Sequence, residues 1–251
     1  MSTFQAVAVT RLYRMIADQI AGRIRAGDFP RGGRLPSERE LAEQLQVSRA
    51  SIREALIALE IEGYVEVRVG TGVFVTTSPD GAAFPSTPGP AARAMRERED
   101  IGPFDLLEAR LLIEPECAAL AAQSGTPAQL AAIRDAHAAM SLTHAPGQHD
   151  REFHNAIATA CGNAALAASV AHLWDLTQSS SVYSRMQDHF VNTQVWAAAH
   201  AEHQRILTAI LARDPIRARY AMHTHLLGIL ARLREDYADD GATRQIESWP
   251  A

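Results

Sequence analysis

Lysine is absent from this sequence of 251 residues, so arginine supplies all 24 of its fixed positive side chains. An arginine guanidinium can bind a guanine edge or a phosphate through two hydrogen bonds, which a lysine ammonium does less specifically. The formal net charge is −5, but residues 1–77 carry 10 Arg against 9 acidic residues, whereas residues 78–251 carry 14 against 20. Because a near-neutral segment still binds nucleic acid when its arginines share one face, overall charge does not exclude that function.

Cysteine and long apolar runs are also scarce. The two cysteines, Cys117 and Cys161, are too few for a disulfide framework, and their Ala-rich surroundings indicate small core residues in a reducing cytoplasm. No run approaches the roughly 18 uninterrupted apolar residues of a membrane span, and the first ten residues lack the pattern of a secretion signal. With 47% hydrophobic residues the chain can build real cores. We therefore expect a cytoplasmic protein of two domains with no membrane partner.

Residues 1–77 predict one domain, made of three helices and a β-hairpin. Apolar residues at four-residue intervals indicate an amphipathic helix over residues 11–26. Ser37 and Glu40 have the spacing of a capping box that opens a second helix, and Ser48 can cap a third. Two alternating strands around a glycine-rich turn then predict a hairpin. This order of elements is that of a winged helix-turn-helix, whose third helix enters the major groove of DNA.

The rest of the chain predicts a linker, a helical domain and a polar tail. Residues 78–100 begin with four prolines and two glycines, which is typical of a linker. Residues 101–238 read as an all-α bundle, and residues 239–251 form the tail. Helices are predicted for the following segments, with residues 179–190 left unassigned: 104–123, 127–143, 150–161, 164–178, 191–212 and 215–238. The predicted fold class is thus mostly α.

Candidate DNA contacts lie at the start of the third helix and around it. Arg49 and Arg53 are one turn apart and lie off the apolar face, so they are expected to point outward together toward guanine edges. Hydroxyls and helix N-terminal amides suit phosphate, and a glycine at the wing tip permits close approach to a groove. The alternative is that such arginines only solvate a helix surface. The full set is Arg39, Ser48, Arg49, Ser51, Arg53 and Gly70.

The local sequence resembles the signature of the GntR superfamily of transcriptional regulators over about residues 11–76. The residues that carry this resemblance are Arg34–Ala42, Val47–Arg49, Ile52–Leu56, Gly63 and Gly70–Val75. The resemblance implies that the six residues above occupy the family's DNA-contacting positions. It also implies a homodimer that binds a palindromic operator in double-stranded DNA.

One aspartate and three histidines form a candidate metal site in the helical domain. Asp150 and His154 are four residues apart and so share one helix face. His203 and His225 lie on consecutive helices, separated by a break at Asp214, which can bring both imidazoles together. This set suits a divalent ion: zinc first, with nickel, manganese or iron also compatible. Ten histidines are present, however, and the other seven are potential accidental neighbours: His137, His144, His149, His172, His189, His200 and His223.

The same domain resembles the FCD effector domain of FadR-type regulators over about residues 104–235. The matching stretches are Glu108–Arg110 with Glu114, Asp150–His154 with Gly162-Asn163, Glu202–Leu207, and Asp214 through Leu226. The resemblance implies that Asp150, His154, His203 and His225 hold the metal. It also implies that Arg110 binds an effector carboxylate, whereas an internal salt bridge to Glu108 or Glu114 is the alternative for that arginine.

The identity of the effector stays open between several small organic acids. Residues 52–75, residues 104–110 and the terminal Ser248–Pro250 resemble the hexuronate-utilisation repressors of this subfamily, which favours a hexuronate or aldonate. Lactate, glycolate or a dicarboxylate would satisfy the same chemistry.

Two further hypotheses are a purely structural metal and a metal-dependent enzyme. The enzyme lacks a convincing acid or base, because Glu152 and Glu202 are expected to point off the ligand face.

Overall fold

The computed structural model describes residues 11–76, 101–140 and 146–234. These residues form two compact units, one within residues 11–76 and the other within residues 101–233. The predicted linker and the predicted tail lie outside the described residues, so their assignments stay predictions. None of the described helices is long and apolar enough to cross a membrane.

The first unit has the predicted order of three helices and a two-stranded antiparallel sheet. Its elements are α1 Leu12–Ala26, α2 Glu38–Leu45, α3 Arg49–Ile61, β1 Val65–Arg68 and β2 Gly72–Val75. Val65 pairs with Val75 and Arg68 with Gly72, so the hairpin turns around Gly70, which has a φ of 75°. A positive φ is accessible to glycine without steric cost, which explains the turn at this position.

Local signals in the sequence account for where these helices begin. The Ser37 hydroxyl accepts from the backbone of Glu40, whose carboxylate accepts in return from the Ser37 amide at 2.8 Å. This is the predicted capping box, and it satisfies two amides that the first turn of α2 would otherwise leave unpaired. The predicted apolar stripe of α1 packs against α3, and the buried residues of that contact include Ile16, Ile20, Ile24, Ile52, Leu56 and Leu59.

The second unit is an all-α bundle. Its helices are α4 Pro103–Ser124, α5 Pro127–Met140, α6 Pro146–Ala160, α7 Ala164–Ser179, α8 Ser181–Phe190, α9 Thr193–Leu211 and α10 Pro215–Arg234. The stretch that the sequence left unassigned is α8, which Ser180 caps by accepting from the amide of Tyr183 at 3.2 Å. Val182 and Met186 form a narrow buried stripe on α8. Most of the other residues of this helix are polar, so the helical spacing of apolar residues is not evident in its sequence.

Small and branched apolar side chains fill the core of the bundle. Ile133, Phe153, Ile206 and Met222 are among its fully buried members. Cys117 and Cys161 lie in the same core as free thiols, in agreement with their predicted packing role. Burial beside Cys161 raises the pKa of Cys117 to about 12, so this side chain remains a thiol at neutral pH.

Candidate metal centre and DNA-reading helix

Four side chains from three helices bring their ligand atoms together inside the bundle. Asp150 and His154 come from α6, His203 from α9 and His225 from α10, and one ligand atom from each lies within 4.8 Å of all the others. The Asp150 Oδ1 atom is 3.2 Å from Nε2 of His203 and 3.6 Å from Nε2 of His154. The Nε2 atoms of His203 and His225 are 3.1 Å apart. All four predicted ligands therefore face one point.

These separations suit a single ion. Ligands at about 2.0–2.1 Å in a tetrahedral zinc site stand about 3.3 Å from one another, close to the distances seen here. Nε2 of His154 and Oδ1 of Asp150 are buried and have no hydrogen-bond partner among the described residues. Buried polar atoms are nearly always satisfied, so an unpaired nitrogen and oxygen that face each other indicate a missing partner. The donor set of three imidazoles and one carboxylate fits a divalent metal.

Carboxylates on other helices fix the outer nitrogens of two of the histidines. Nδ1 of His154 contacts a carboxylate oxygen of Glu114 on α4. Nδ1 of His225 lies 2.7 Å from a carboxylate oxygen of Glu202 on α9. An Nδ1–H that donates to a carboxylate leaves Nε2 with its lone pair directed into the site and makes it a stronger ligand.

The electrostatics favour neutral imidazoles at His203 and His225 and charged carboxylates at Glu114 and Glu202. Burial lowers the pKa of His203 well below its ordinary value of 6.5, and the neighbouring histidines act in the same direction. Burial also lowers the pKa of His225, although Glu202 opposes the shift. Burial alone would raise the pKa of Glu114, but the guanidinium of Arg110 and the contact with His154 outweigh it and lower that pKa. Metal ligands must be deprotonated, so this balance favours metal binding at neutral pH.

Arg110 forms the internal salt bridge that was the alternative to effector binding for this residue. Its Nε donates to Glu114 at 2.7 Å, and the side chain is 1% exposed. Its guanidinium carbon stacks 3.9 Å from the ring centroid of Trp174. Nη2 of Arg110 is buried with no hydrogen-bond partner among the described residues. The contact between Arg110 and an effector carboxylate stays a prediction.

Sequence reasoning missed the orienting roles of Glu114 and Glu202. Glu202 was expected to point off the ligand face, but it reaches the far side of His225 on the next helix. Helical periodicity describes one helix at a time, so it could not reveal a partner that lies across a helix pair. Glu152 does lie away from the site, where it is exposed and contacts His149 at 2.8 Å.

The predicted DNA contacts outside Arg53 lie on an accessible part of the first unit. Ser48 caps α3 by accepting from the amide of Ser51, and their hydroxyls are 2.8 Å apart. Arg49 and Gly70 are exposed, and Arg39 is exposed and donates to Glu43 at 2.9 Å. The hydroxyls of Ser48 and Ser51 and the exposed Arg49 therefore lie at the N-terminus of α3.

The prediction that Arg53 points outward beside Arg49 is wrong. Its side chain is 1% exposed, and its Nε and Nη2 atoms donate to the two carboxylate oxygens of Glu38 at 2.7 and 2.6 Å. Because α1, α2 and β1 all pack against α3, the residues from Ile52 to Leu59 are all buried. Arg49 and Arg53 are one turn apart, as predicted, but the buried face of α3 extends beyond its apolar residues and includes Arg53. Arg53 thus joins α2 to α3 in this structure.

Comparison with known proteins places these observations in a family. The model of bacterial regulatory proteins of the gntR family matches residues 12–75, and that of the FCD domain matches residues 105–228. In Escherichia coli (strain K12), the Exu regulon transcriptional regulator is 35% identical over 235 residues, which cover 92% of this chain and 87% of that protein. The Uxu operon transcriptional regulator of the same strain is 34% identical over 256 residues, which cover 98% and 96%.

A third relative in that strain is provisionally named an L-lactate dehydrogenase operon regulatory protein. It is 36% identical over 237 residues, which cover 90% of this chain and 91% of its own length. These matches span both units and name regulators rather than enzymes. The chain accordingly belongs to the GntR family of bacterial regulatory proteins, as a DNA-binding transcriptional regulator with an FCD domain.

Proposed function

We propose that this regulator is a cytoplasmic homodimeric repressor that leaves its operator when a small organic acid binds at a metal ion in the FCD domain. The observation that carries the proposal is the convergence of Asp150, His154, His203 and His225 on one point with unpaired buried atoms. Three imidazoles and one carboxylate hold zinc by preference, with nickel, manganese or iron as alternatives. When bound, the ion would supply Lewis-acid positions for an oxygen ligand.

Arg110 supports a carboxylate as the chemical group that is sensed. Its buried guanidinium keeps Nη2 without a partner while Glu114 occupies Nε. A guanidinium binds carboxylates through charge-assisted hydrogen bonds, which are stronger than neutral ones. Names of the relatives that refer to Exu and Uxu favour a hexuronate or aldonate as this acid. The relative named for an L-lactate dehydrogenase operon keeps a 2-hydroxy acid as the second candidate.

Recognition of DNA is assigned to the N-terminus of α3 and the residues around it. Arg49 would bind a guanine edge in the major groove, while Ser48, Ser51 and Arg39 would bind phosphates. Gly70 would let the wing approach a groove. Two such helices in a homodimer would match the two halves of a palindromic operator.

Control by the acid requires that it bind one conformation of the dimer more tightly than another. An effector shifts an equilibrium only by its differential affinity for the two states. We therefore expect the acid to weaken operator binding without unfolding the protein.

A thermal-shift screen followed by a gel shift tests the proposal. Zinc-loaded protein is mixed with uronates, aldonates and 2-hydroxy acids, and the best stabiliser is added to the complex with operator. An acid at a hundredfold excess over its Kd should stabilise the FCD domain by about 2.7 kcal/mol. An Arg110→Gln variant, measured at a zinc concentration that saturates it, should lose this stabilisation. Operator binding that no acid in the panel changes would count against the proposal.

A purely structural metal is the second candidate, because the ligands come from α6, α9 and α10 and an ion would join these helices. In that case, removal of zinc should melt the domain, and added acids should leave its Tm unmoved.

A further inference from the structure

The cavity beside the metal ligands contains one basic side chain that the proposed function does not use. Asp150 and His225 line this cavity at one end, and its walls include Tyr183, Trp196 and Arg232. Most of the other lining residues are apolar. A mainly apolar pocket with a few placed polar groups is typical of a small-molecule site, in which the polar groups decide orientation and specificity.

Arg232 is held loosely. Its Nη1 and Nη2 atoms stand 3.3 and 3.4 Å from the carboxylate oxygens of Glu202, whereas charge-assisted hydrogen bonds of this kind are usually about 2.7–2.9 Å. The same carboxylate is held more closely by His225, at 2.7 Å. The Arg232 side chain is also 26% exposed. Its guanidinium therefore has donors that can be redirected toward a molecule in the cavity.

A glycine makes room for this arrangement. Gly228 lies one turn before Arg232 in the interior of α10, where glycine weakens a helix. A Cβ atom at this position would lie 3.3 Å from Nη1 of Arg232 and 3.5 Å from a carboxylate oxygen of Glu202. Any side chain at position 228 would therefore crowd the guanidinium and the carboxylate together.

Arg232 and His225 contact the same carboxylate. Arg232 lies seven residues, or two turns, after His225, and its guanidinium reaches back to the oxygens of Glu202, one of which also contacts Nδ1 of His225. Both residues line the same cavity. An acid whose carboxylate and α-hydroxyl face the metal ligands therefore needs a further oxygen to accept a hydrogen bond from Arg232.

We propose that Arg232 recognises the end of the effector that lies away from the metal ligands, by donating to a hydroxyl or carbonyl oxygen. The site would thereby select six-carbon sugar acids over lactate and glycolate, which have no oxygen beyond the carboxylate and the α-hydroxyl to offer the guanidinium. A site built to hydrogen-bond a ligand oxygen discriminates strongly against analogues that lack it. This inference rests on the proposed function, because it assumes that an organic acid occupies the cavity.

Calorimetric titration of the zinc-loaded full chain with D-galacturonate and with L-lactate tests this selectivity. The wild type should bind galacturonate more tightly. Arg232→Gln should weaken galacturonate binding about tenfold or more, while lactate binding stays within about twofold. Arg217→Gln is the matched control, since it removes an exposed arginine of α10 that does not line this cavity, and it should change neither affinity.

Gly228→Ala provides a second variant that retains the charge and strengthens the helix. It should weaken galacturonate binding selectively, because the added methyl displaces the guanidinium. Equal weakening of both acids in Arg232→Gln, or no weakening of galacturonate, would overturn the role of Arg232. Wild-type protein that binds lactate at least as tightly as galacturonate would overturn the selectivity and leave the proposed function standing. Binding of neither acid would refute the proposed effector chemistry and this inference with it.

Discussion

Two arginine–glutamate pairs begin on α2, one buried and one exposed. Glu38 accepts from Arg53 at 2.7 and 2.6 Å, and their side chains are 3% and 1% exposed. Arg39 donates to Glu43 at 2.9 Å, but both of these side chains are 63% exposed. Substituting Glu38 or Glu43 by Gln removes one charge with almost no change in shape. We predict that Glu38→Gln destabilises the first unit far more than Glu43→Gln does.

The size of the difference follows from the fate of the arginine. Glu38→Gln removes the negative charge that accepts two hydrogen bonds from the buried Arg53, and breaking a buried pair costs about 3–5 kcal/mol. Exposed pairs at this helical spacing contribute only about 0.3–0.5 kcal/mol. At about 1.36 kcal/mol per factor of ten, even 3 kcal/mol raises the unfolding equilibrium roughly 150-fold, whereas 0.5 kcal/mol raises it about twofold.

Native-state hydrogen exchange measures this difference in the full chain. Amides in the buried middle of α3 exchange when the first unit opens, so their rates report its stability separately from that of the bundle. Replacing both partners, Arg53→Met with Glu38→Leu, should recover most of the loss because both charges of the buried pair are then removed. Similar exchange rates in Glu38→Gln and Glu43→Gln would refute the reasoning.

Three further predictions concern DNA, metal and pH. Arg49→Ala should weaken operator binding by about 5- to 150-fold, measured by fluorescence anisotropy, because one base contact is worth about 1–3 kcal/mol. Glu202→Gln should lower zinc affinity about 10- to 100-fold in a chelator competition, because the charge that orients His225 is lost. Without metal, stability against urea should be full above pH 6.5 and fall as the pH drops below it. Below pH 6.5 His203 and His225 bind protons in the unfolded chain, but they stay neutral in the folded protein because their pKa values are lowered. The free energy of unfolding should therefore fall by up to about 1.4 kcal/mol per pH unit for each histidine.

Each of these predictions has a control and an outcome that contradicts it. Arg217→Ala, in the other unit, should leave operator affinity unchanged, and an equal loss there would remove the special role of Arg49. Glu152→Gln alters an exposed carboxylate that contacts no ligand, so zinc affinity should be unaffected. A metal-free protein with the same urea midpoint at pH 7 and pH 5 would contradict the burial of neutral imidazoles.

Much of the fold was predictable because its signals are short in sequence. The Ser37–Glu40 capping box and the period-two strands around Gly70 act within a few residues, and the structure confirms both. Within the described residues, one helix is unassigned by the sequence: α8, whose buried stripe is too narrow to stand out among its polar residues. The helices and strands thus follow mainly from patterns within each segment of the sequence.

The candidate site was predictable in its donor atoms but not in its supporting contacts. Spacing placed Asp150 and His154 on one face, and the helix break at Asp214 allowed His203 and His225 to meet. The partners on their outer nitrogens depend on how the helices pack, as does the small space that Gly228 leaves for Arg232.

The sequence by itself determined the element order, the helix caps and the set of candidate metal ligands, because these follow from residue type, local spacing and family resemblance. Only the tertiary structure decided which polar groups are buried. Arg53 and Arg49 share a helix and a charge, but α2 covers one of them and not the other. Glu202 is adjacent to a ligand in sequence, yet it supports a different one across a helix pair. Burial and contacts between helices depend on how the helices pack, so the periodicity of a single segment cannot predict them.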